Sequence, residues 1–580
     1  MTVDREYFVR SASALAAIVT FATLWIAVLG LAPAYGQAPP SRTALPSTVE
    51  PGRPPPSAAP AAPVENFDFF IQTPERAPVP RAEDQLVFVL NGIQITGATI
   101  YSDAELRPFY ADLLGHEVKL TDILGIADAI EAKYRTAGFV LTRAYVPPQH
   151  VTNGVFTINV VEGYVAAIDT KGGSAATQRQ VTDYLQPVTQ QRPLQLRGME
   201  RALLLANDIP GVTASGLLRP SPNVAGASDL LVNLVPTPVS AGIGIDNRGS
   251  RYAGPWIAHA DAEVNGILGP DQFYANISSV PNSLEKLYGL LRYQRMVGPD
   301  GASVSLLGYG SYGQPGSILR PFELITDSWA VGPRARYPIL RSRAQSLYVE
   351  AGVARKDEQV SILGQPFSHD QWSTADASLT WVQSGLLNGN TTVTAGLTQG
   401  LPVLGATPSG SPNLSRPGAH TDFTKATFSA QRIQTLYGPV NLAVNMLGQY
   451  AFEPLVVGEQ AAFGGDTIGR GYDPDVLVGD QGFGTSLELR YDYQPTNLPA
   501  YLPLNFAQPY VFYDAAGVWD RVANSLHTGA SLSSAGLGLR ARFPHQVSAG
   551  IEYAKTLTRL AANDDGNLTS RVLVDLSVRY

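Results

Sequence analysis

Cysteine is absent from the 580 residues. That excludes disulfides, thiolate nucleophiles and Cys-ligated metal centres. Methionine is scarce at 4 residues, while Gly (55) and Tyr (26) are plentiful, a balance that suits strands and turns over helical bundles. Basic residues are outnumbered, 41 against 49 acidic, and the net charge of −8 provides no field for nucleic acid. Catalytic signatures are missing as well. There is no Walker-type phosphate loop and no G-x-S-x-G elbow. His116-Glu117 opens a zinc-protease pattern, but Leu120 stands where the second histidine belongs, so it reads as an exposed helix–loop pair. Asp564-Asp565-Gly566 lacks the later ligands of a calcium loop and reads as a turn. Neither enzymatic activity, nor a metal, nor a cofactor is expected. Long apolar runs are confined to Ala12 through Leu31. If the mature chain lies in a membrane, it must cross as a closed β-barrel.

Residues 1–36 carry Arg5 and Arg10, then that apolar run, then Ala34-Tyr35-Gly36, the order of a secretory signal cleaved after Gly36. Residues 37–83, with Pro54-Pro55-Pro56, read as an extended Pro-rich linker that tethers or threads a pore. Residues 84–163 read as a small α/β unit of order β-α-α-β-β. Ser102 and Glu105 form a capping box that opens a helix, which Pro108 is expected to bend. In a second helix, Ile123, Ile126, Ala127, Ile130 and Tyr134 fall on one stripe, and Gly138 ends it. Residues 164–236 repeat the order more loosely, with helices over 180–185 and 198–207, so the two units form an internal repeat. Each unit would leave an open sheet edge able to add a strand from another polypeptide.

From about 238 the texture changes to segments of about ten residues with period-2 alternation. Leu487, Leu489, Tyr491 and Tyr493 alternate with Glu488, Arg490 and Asp492; Val547, Ala549, Ile551 and Tyr553 alternate with Ser548, Gly550 and Glu552. Charges keep to one face, which argues for a barrel apolar outside and wet inside. About sixteen segments can be counted, with short and long gaps alternating, so both ends of the barrel would lie on the short-turn side. Sixteen strands leave an aqueous channel, and the long gap at 454–481 is the best internal candidate to occupy it. Trp256, Trp329 and Trp519 suit an interfacial belt or core packing about equally.

That gap holds FGGDTIGRGY, residues 463–472, whose glycines allow the chain to fold inward and carry one cation, Arg470. About forty residues on, YVFYDAAGVW (510–519) offers a lone carboxylate, Asp514, in an apolar and aromatic strand, where a charge must face water or a partner. Arg470 and Asp514 are expected to meet inside the barrel; the residues alone leave a solvated loop and an ordinary lumen carboxylate as the alternative.

These strings together resemble the two-partner secretion transporter family, outer-membrane pores that export large haemolysin- or haemagglutinin-like exoproteins. YRTAGFVLTRAYVPPQ (134–149) and FTINVVEG (156–163) resemble a POTRA domain, and MERALLLANDIPGV (199–212) its partner. IDNRGSRYAG (245–254) resembles the first barrel hairpin, IGRGY (468–472) the inward loop tip, and FYDAAG (512–517) the strand whose Asp pairs with the loop Arg. The flexible Gly469 just before Arg470 departs from the usual V-R-G-Y-like tip. The resemblance implies two periplasmic POTRA domains, a sixteen-stranded transmembrane barrel over 237–580 and Arg470–Asp514 as a loop–barrel lock. It further implies Gly469, Gly471 and Tyr472 as the loop tip, Phe512 and Gly517 as the wall motif, and Gly138, Phe139 and Val140 as a substrate-contacting patch. A large secreted exoprotein, outer-membrane lipid and the barrel assembly machinery are the implied partners, with the chain acting as a monomer. The runner-up is an outer-membrane protein insertase of similar layout.

Overall fold

The protein is described here through a computed structural model covering residues 69–71, 87–224, 226–495, 503–521, 529–560 and 567–580. The expected signal segment, most of the linker and the Asp564-Asp565-Gly566 turn lie outside the described residues.

Two small α/β units precede a barrel. The strands of the first, after β1 (Phe69–Ile71), which joins the second unit's sheet, are β2 (Val87–Val89), β3 (Gly92–Thr96), β4 (Glu117–Lys119), β5 (Arg143–Tyr145) and β6 (Val155–Val161). β6 lies between parallel β3 and antiparallel β5. The Ser102–Glu105 capping box forms, but its helix covers only Asp103–Leu106 and gives way to a 3₁₀ turn at Arg107–Phe109. Pro108 does more than bend it, because the ring and the missing N–H stop an α-helix from continuing. The helix Leu120–Thr136 buries the expected stripe against the sheet, and Gly138 follows it at φ +92.

In the second unit β7 (Tyr164–Lys171) leads two helices, Ala175–Thr189 and Leu196–Asn207, then β8 (Val212–Pro220) and β9 (Ala227–Pro236). The helices close one sheet face around Leu185, Leu203 and Leu230. The sheet order is β1-β8-β9-β7. β1 therefore comes from within the Pro-rich linker and runs parallel to β8, with Phe69 opposite Gly216 and Ile71 opposite Leu218. Each unit was expected to leave an open sheet edge; in the second, β1 from the chain itself occupies the edge on β8, and β7 is the other edge strand.

The first five barrel strands are β10 (Val239–Asp246), β11 (Ile257–Asn265), β12 (Asp271–Ser279), β13 (Leu287–Val297) and β14 (Ala302–Gly313). Six more follow: β15 (Ile325–Arg341), β16 (Gln345–Ile362), β17 (Gln365–Leu386), β18 (Gly389–Leu401), β19 (Thr424–Tyr437) and β20 (Val440–Ala451). A short hairpin, β21 (Ala461–Phe463) and β22 (Leu477–Gly479), interrupts the series. β23 (Gln481–Tyr491), β24 (Phe506–Trp519), β25 (Gly529–Phe543), β26 (Val547–Thr556) and β27 (Ser570–Arg579) complete it. Omitting the hairpin, the sixteen strands form a closed antiparallel barrel. β10 and β27 join over Gly242–Asp246 and Asp575–Arg579, and Tyr580 exchanges two backbone hydrogen bonds with Ala241. Closure leaves no unpaired edge.

The faces sort as the alternation requires. Val511 on β24 and Ile551 on β26 are exposed outward, while Asp514 and Glu552 on the same strands are buried inward. Trp256, Trp329 and Trp519 are partly exposed. The second unit docks at the short-turn end, where Arg341 makes a two-pronged pair with Asp208 at 2.9 Å on each side. There Glu200 also accepts from Arg343 N at 2.7 Å.

Candidate functional site

The chain between β20 and β23 leaves the long-loop end and turns into the lumen. Its tip is shaped by Gly464, Gly465 and Gly469, all at positive φ (+120, +82 and +95), where L side chains are strained. A Cβ at Gly469 would also lie 2.9 Å from Leu532 Cδ1 on β25. That fold aims Arg470 at the inner face of β23–β26.

The structure brings Arg470 and Asp514 together. Arg470 Nη2 lies 2.8 Å from Asp514 Oδ1, and Nε 3.0 Å from Oδ2. The backbone N–H groups of Gly469 and Arg470 donate to the same Oδ2, each at 3.1 Å. The two-pronged geometry suits a planar guanidinium. Nη1 turns to Glu488 at 2.8 Å and Glu552 at 3.3 Å, and Nη2 to Ser486 at 3.0 Å. The Phe512 ring lies beneath, its centroid 3.5 Å from Cζ. Arg470 is 3% exposed and Asp514 fully buried. Three carboxylates thus converge on one loop cation among the described residues. Arg490 and Arg540 offset the surplus charge at Glu488, and Arg248 does so at Glu552.

The loop carries its own anions beside Arg470, and these meet the hairpin between β10 and β11. Asp466 pairs with Arg248 at 3.0 Å and Asp473 with Arg251 at 2.7 Å. Tyr472 is fully buried. Its hydroxyl lies 2.6 Å from Thr558 O and accepts from Thr558 N at 3.2 Å. At Gly471 a Cβ would press on Thr556 N at 2.9 Å, so the backbone there lies flush with β26.

The remaining expected residues fall elsewhere. Gly517 stands on β24 three positions from Asp514, hence on the opposite face, with its nearest contact the Trp519 ring. Phe139 packs edge-on against Tyr134 in the first unit's core, after half-buried Gly138. Val140 is half-buried in the turn that follows. Glu488, Glu552 and Ser486 complete the Arg470 cage, and Ser534 donates to Asp514 Oδ2 at 3.3 Å. Sequence reading placed both glutamates on the wet face without linking them to Arg470. The inward parity of their strands was the available signal.

Two family models match the chain. Residues 226–541 match "Haemolysin secretion/activation protein ShlB/FhaC/HecB", and residues 88–163 match "POTRA domain, ShlB-type". The heme/hemopexin transporter protein HuxB of Haemophilus influenzae (strain 86-028NP) is 27% identical over 207 residues, 35% of this chain; that match spans about a third (36%) of HuxB's length. The hemolysin transporter protein ShlB of Serratia marcescens is 25% identical over 458 residues, covering 76% of this chain and 79% of the relative. Among solved structures, CdiB from Escherichia coli superposes with a TM-score of 0.66 at 19% identity, covering 88% of this chain and 93% of that one. That last likeness is one of fold.

Proposed function

The chain belongs to the haemolysin secretion/activation family ShlB/FhaC/HecB, and from that premise we propose that it exports one large, unfolded exoprotein through its barrel. In this reading the barrel sits in the outer membrane and the two α/β units lie in the periplasm, at the short-turn mouth, where they capture the client. The inward loop then leaves its seat, the client threads the lumen, and folding outside gives the process direction. The chain works as a monomer and owes its insertion to the barrel assembly machinery. No step calls on enzymatic chemistry.

The single observation that carries the reading is a loop cation buried among three wall carboxylates in the middle of a pore wide enough to conduct. Such a contact is a latch. Removing one partner strands the other charge in a poorly hydrated place, at a cost of about 3–5 kcal/mol in comparable buried pairs. Arg470→Ala and Asp514→Ala should therefore each lower export at least tenfold while the barrel still assembles and shows its heat-dependent gel shift. Near-normal export from both variants would sink the latch. Deleting the whole gene product should remove one polypeptide from the culture medium; loss of several barrel proteins from the membrane would instead mark an insertase.

A further inference from the structure

The inward loop is held a second time, at its root, with the charges reversed. At the tip a loop cation sits among wall anions. At the root a loop anion, Glu459, sits between wall cations. Lys356 on β16 reaches Glu459 Oε1 at 2.6 Å and Lys425 on β19 reaches Oε2 at 2.7 Å. Trp372 Nε1 on β17 donates to Oε1 at 2.9 Å. Glu459 is 3% exposed. Both legs of the root are tied to the same wall, since Gln449 on β20 donates to Glu459 O at 2.9 Å and to Asp480 O at 3.2 Å. Leu455 N, on the outgoing leg, donates to the buried Asp480 carboxylate on the returning one at 3.0 Å.

Between root and tip lie Gly464 and Gly465, both at positive φ. Adjacent glycines are suited to absorb a large backbone rotation. Building on the export reading above, we infer that Glu459 is a positioning residue that fixes the root of the inward loop, so that the loop opens as a flap hinged at Gly464-Gly465 and does not withdraw whole. The opposed polarity at the two ends also sets the loop's orientation, because an inverted loop would bring like charges together at both seats.

Because the chain lacks cysteine, engineered pairs report cleanly. Ala461→Cys with Gly482→Cys bridges the root side of the hinge, where a Cβ at 482 lies 3.0 Å from Ala461 Cβ; Gly471→Cys with Ser534→Cys bridges the tip side, 3.2 Å apart. The readouts are ionic current through full-length protein in planar bilayers and release of the polypeptide that disappears on deletion. The oxidised root bridge should leave export within twofold of its reduced form. The oxidised tip bridge should cut export at least tenfold, reversibly. Glu459→Gln, which removes the charge but keeps the shape, should raise the frequency of open-channel events at least fivefold, with Glu459→Asp close to wild type. Loss of export from the root bridge would overturn the hinge alone, as would wild-type current from a properly assembled Glu459→Gln protein. Normal export from the tip bridge would overturn the latch on which the hinge depends. If Glu459→Gln fails to assemble, the two bridges decide.

Discussion

Arg470 holds its seat by shape as much as by charge. Its guanidinium spends two N–H groups on Asp514 and the others on Glu488, Glu552 and Ser486, a fork that a lysine ammonium could not reproduce. Arg470 and Asp514 stood out in the sequence because one is the single cation of a glycine-rich loop and the other a single carboxylate in an apolar, aromatic strand, although the residues alone left a solvated loop as the alternative. Glu488 and Glu552 were not legible as partners, since they lie 18 and 82 positions away and meet Arg470 only once four strands stand side by side. A second residue-scale case lies outside the membrane. Burial opposes the charge on Glu162 in the first unit, yet hydrogen bonds from Thr99, Tyr134 and Ile100 outweigh it and hold its pKa below the ordinary glutamate value. A depressed carboxylate stabilises the fold above the unfolded-state pKa and loses that contribution as pH falls through the folded one. The urea midpoint of a fragment spanning 84–236 should therefore decline as pH drops below the normal glutamate range. Glu162→Gln should lower the midpoint at neutral pH, by about 1 kcal/mol of stability, and flatten the acid decline. An unchanged pH profile in that variant would contradict the assignment.

At the scale of elements, short strands and proline decide what periodicity leaves open. The amphipathic helix Leu120–Thr136 was readable because its apolar stripe repeats at helical spacing over four turns. β1 was not readable. Three residues in a Pro-rich tract carry no period, and only the exposed edge of β8 makes a strand of them. Edge occupation has a measurable consequence. Replacing Phe69-Phe70-Ile71 with Gly-Ser-Gly should free the backbone groups of β8 and the hollow over Gly216, where Phe69 now rests. Extended apolar peptides should then bind the freed edge of β8 several-fold more tightly in full-length protein. Unchanged peptide binding would show that β1 does not limit access.

For the whole molecule, the inside-out arrangement of polarity sets what substitutions do. Val511 and Asp514 are three residues apart on β24 and face lipid and lumen respectively. A charge on the lipid face near mid-membrane costs about 2–4 kcal/mol in barrels. Val511→Arg should therefore lower the yield of heat-modifiable barrel in lipid vesicles, whereas Gln508→Arg, on the wet face, should assemble normally. Equal yields would mean that β24 is not buried in lipid. The same arrangement couples the two halves of the chain, because the Arg341–Asp208 pair joins the second unit to a barrel turn.

Period-2 alternation and loop spacing along the chain indicate a barrel of about sixteen strands with a glycine-rich loop bearing one cation. Alternation and loop spacing are local properties, and each residue carries them before the chain folds. Tertiary structure alone decided who meets whom. Which carboxylates share Arg470, which lysines clasp Glu459 and which edge receives β1 all depend on strands brought side by side by ring closure and docking. Charge pairing acts over a few ångströms in space and takes no account of separation along the chain.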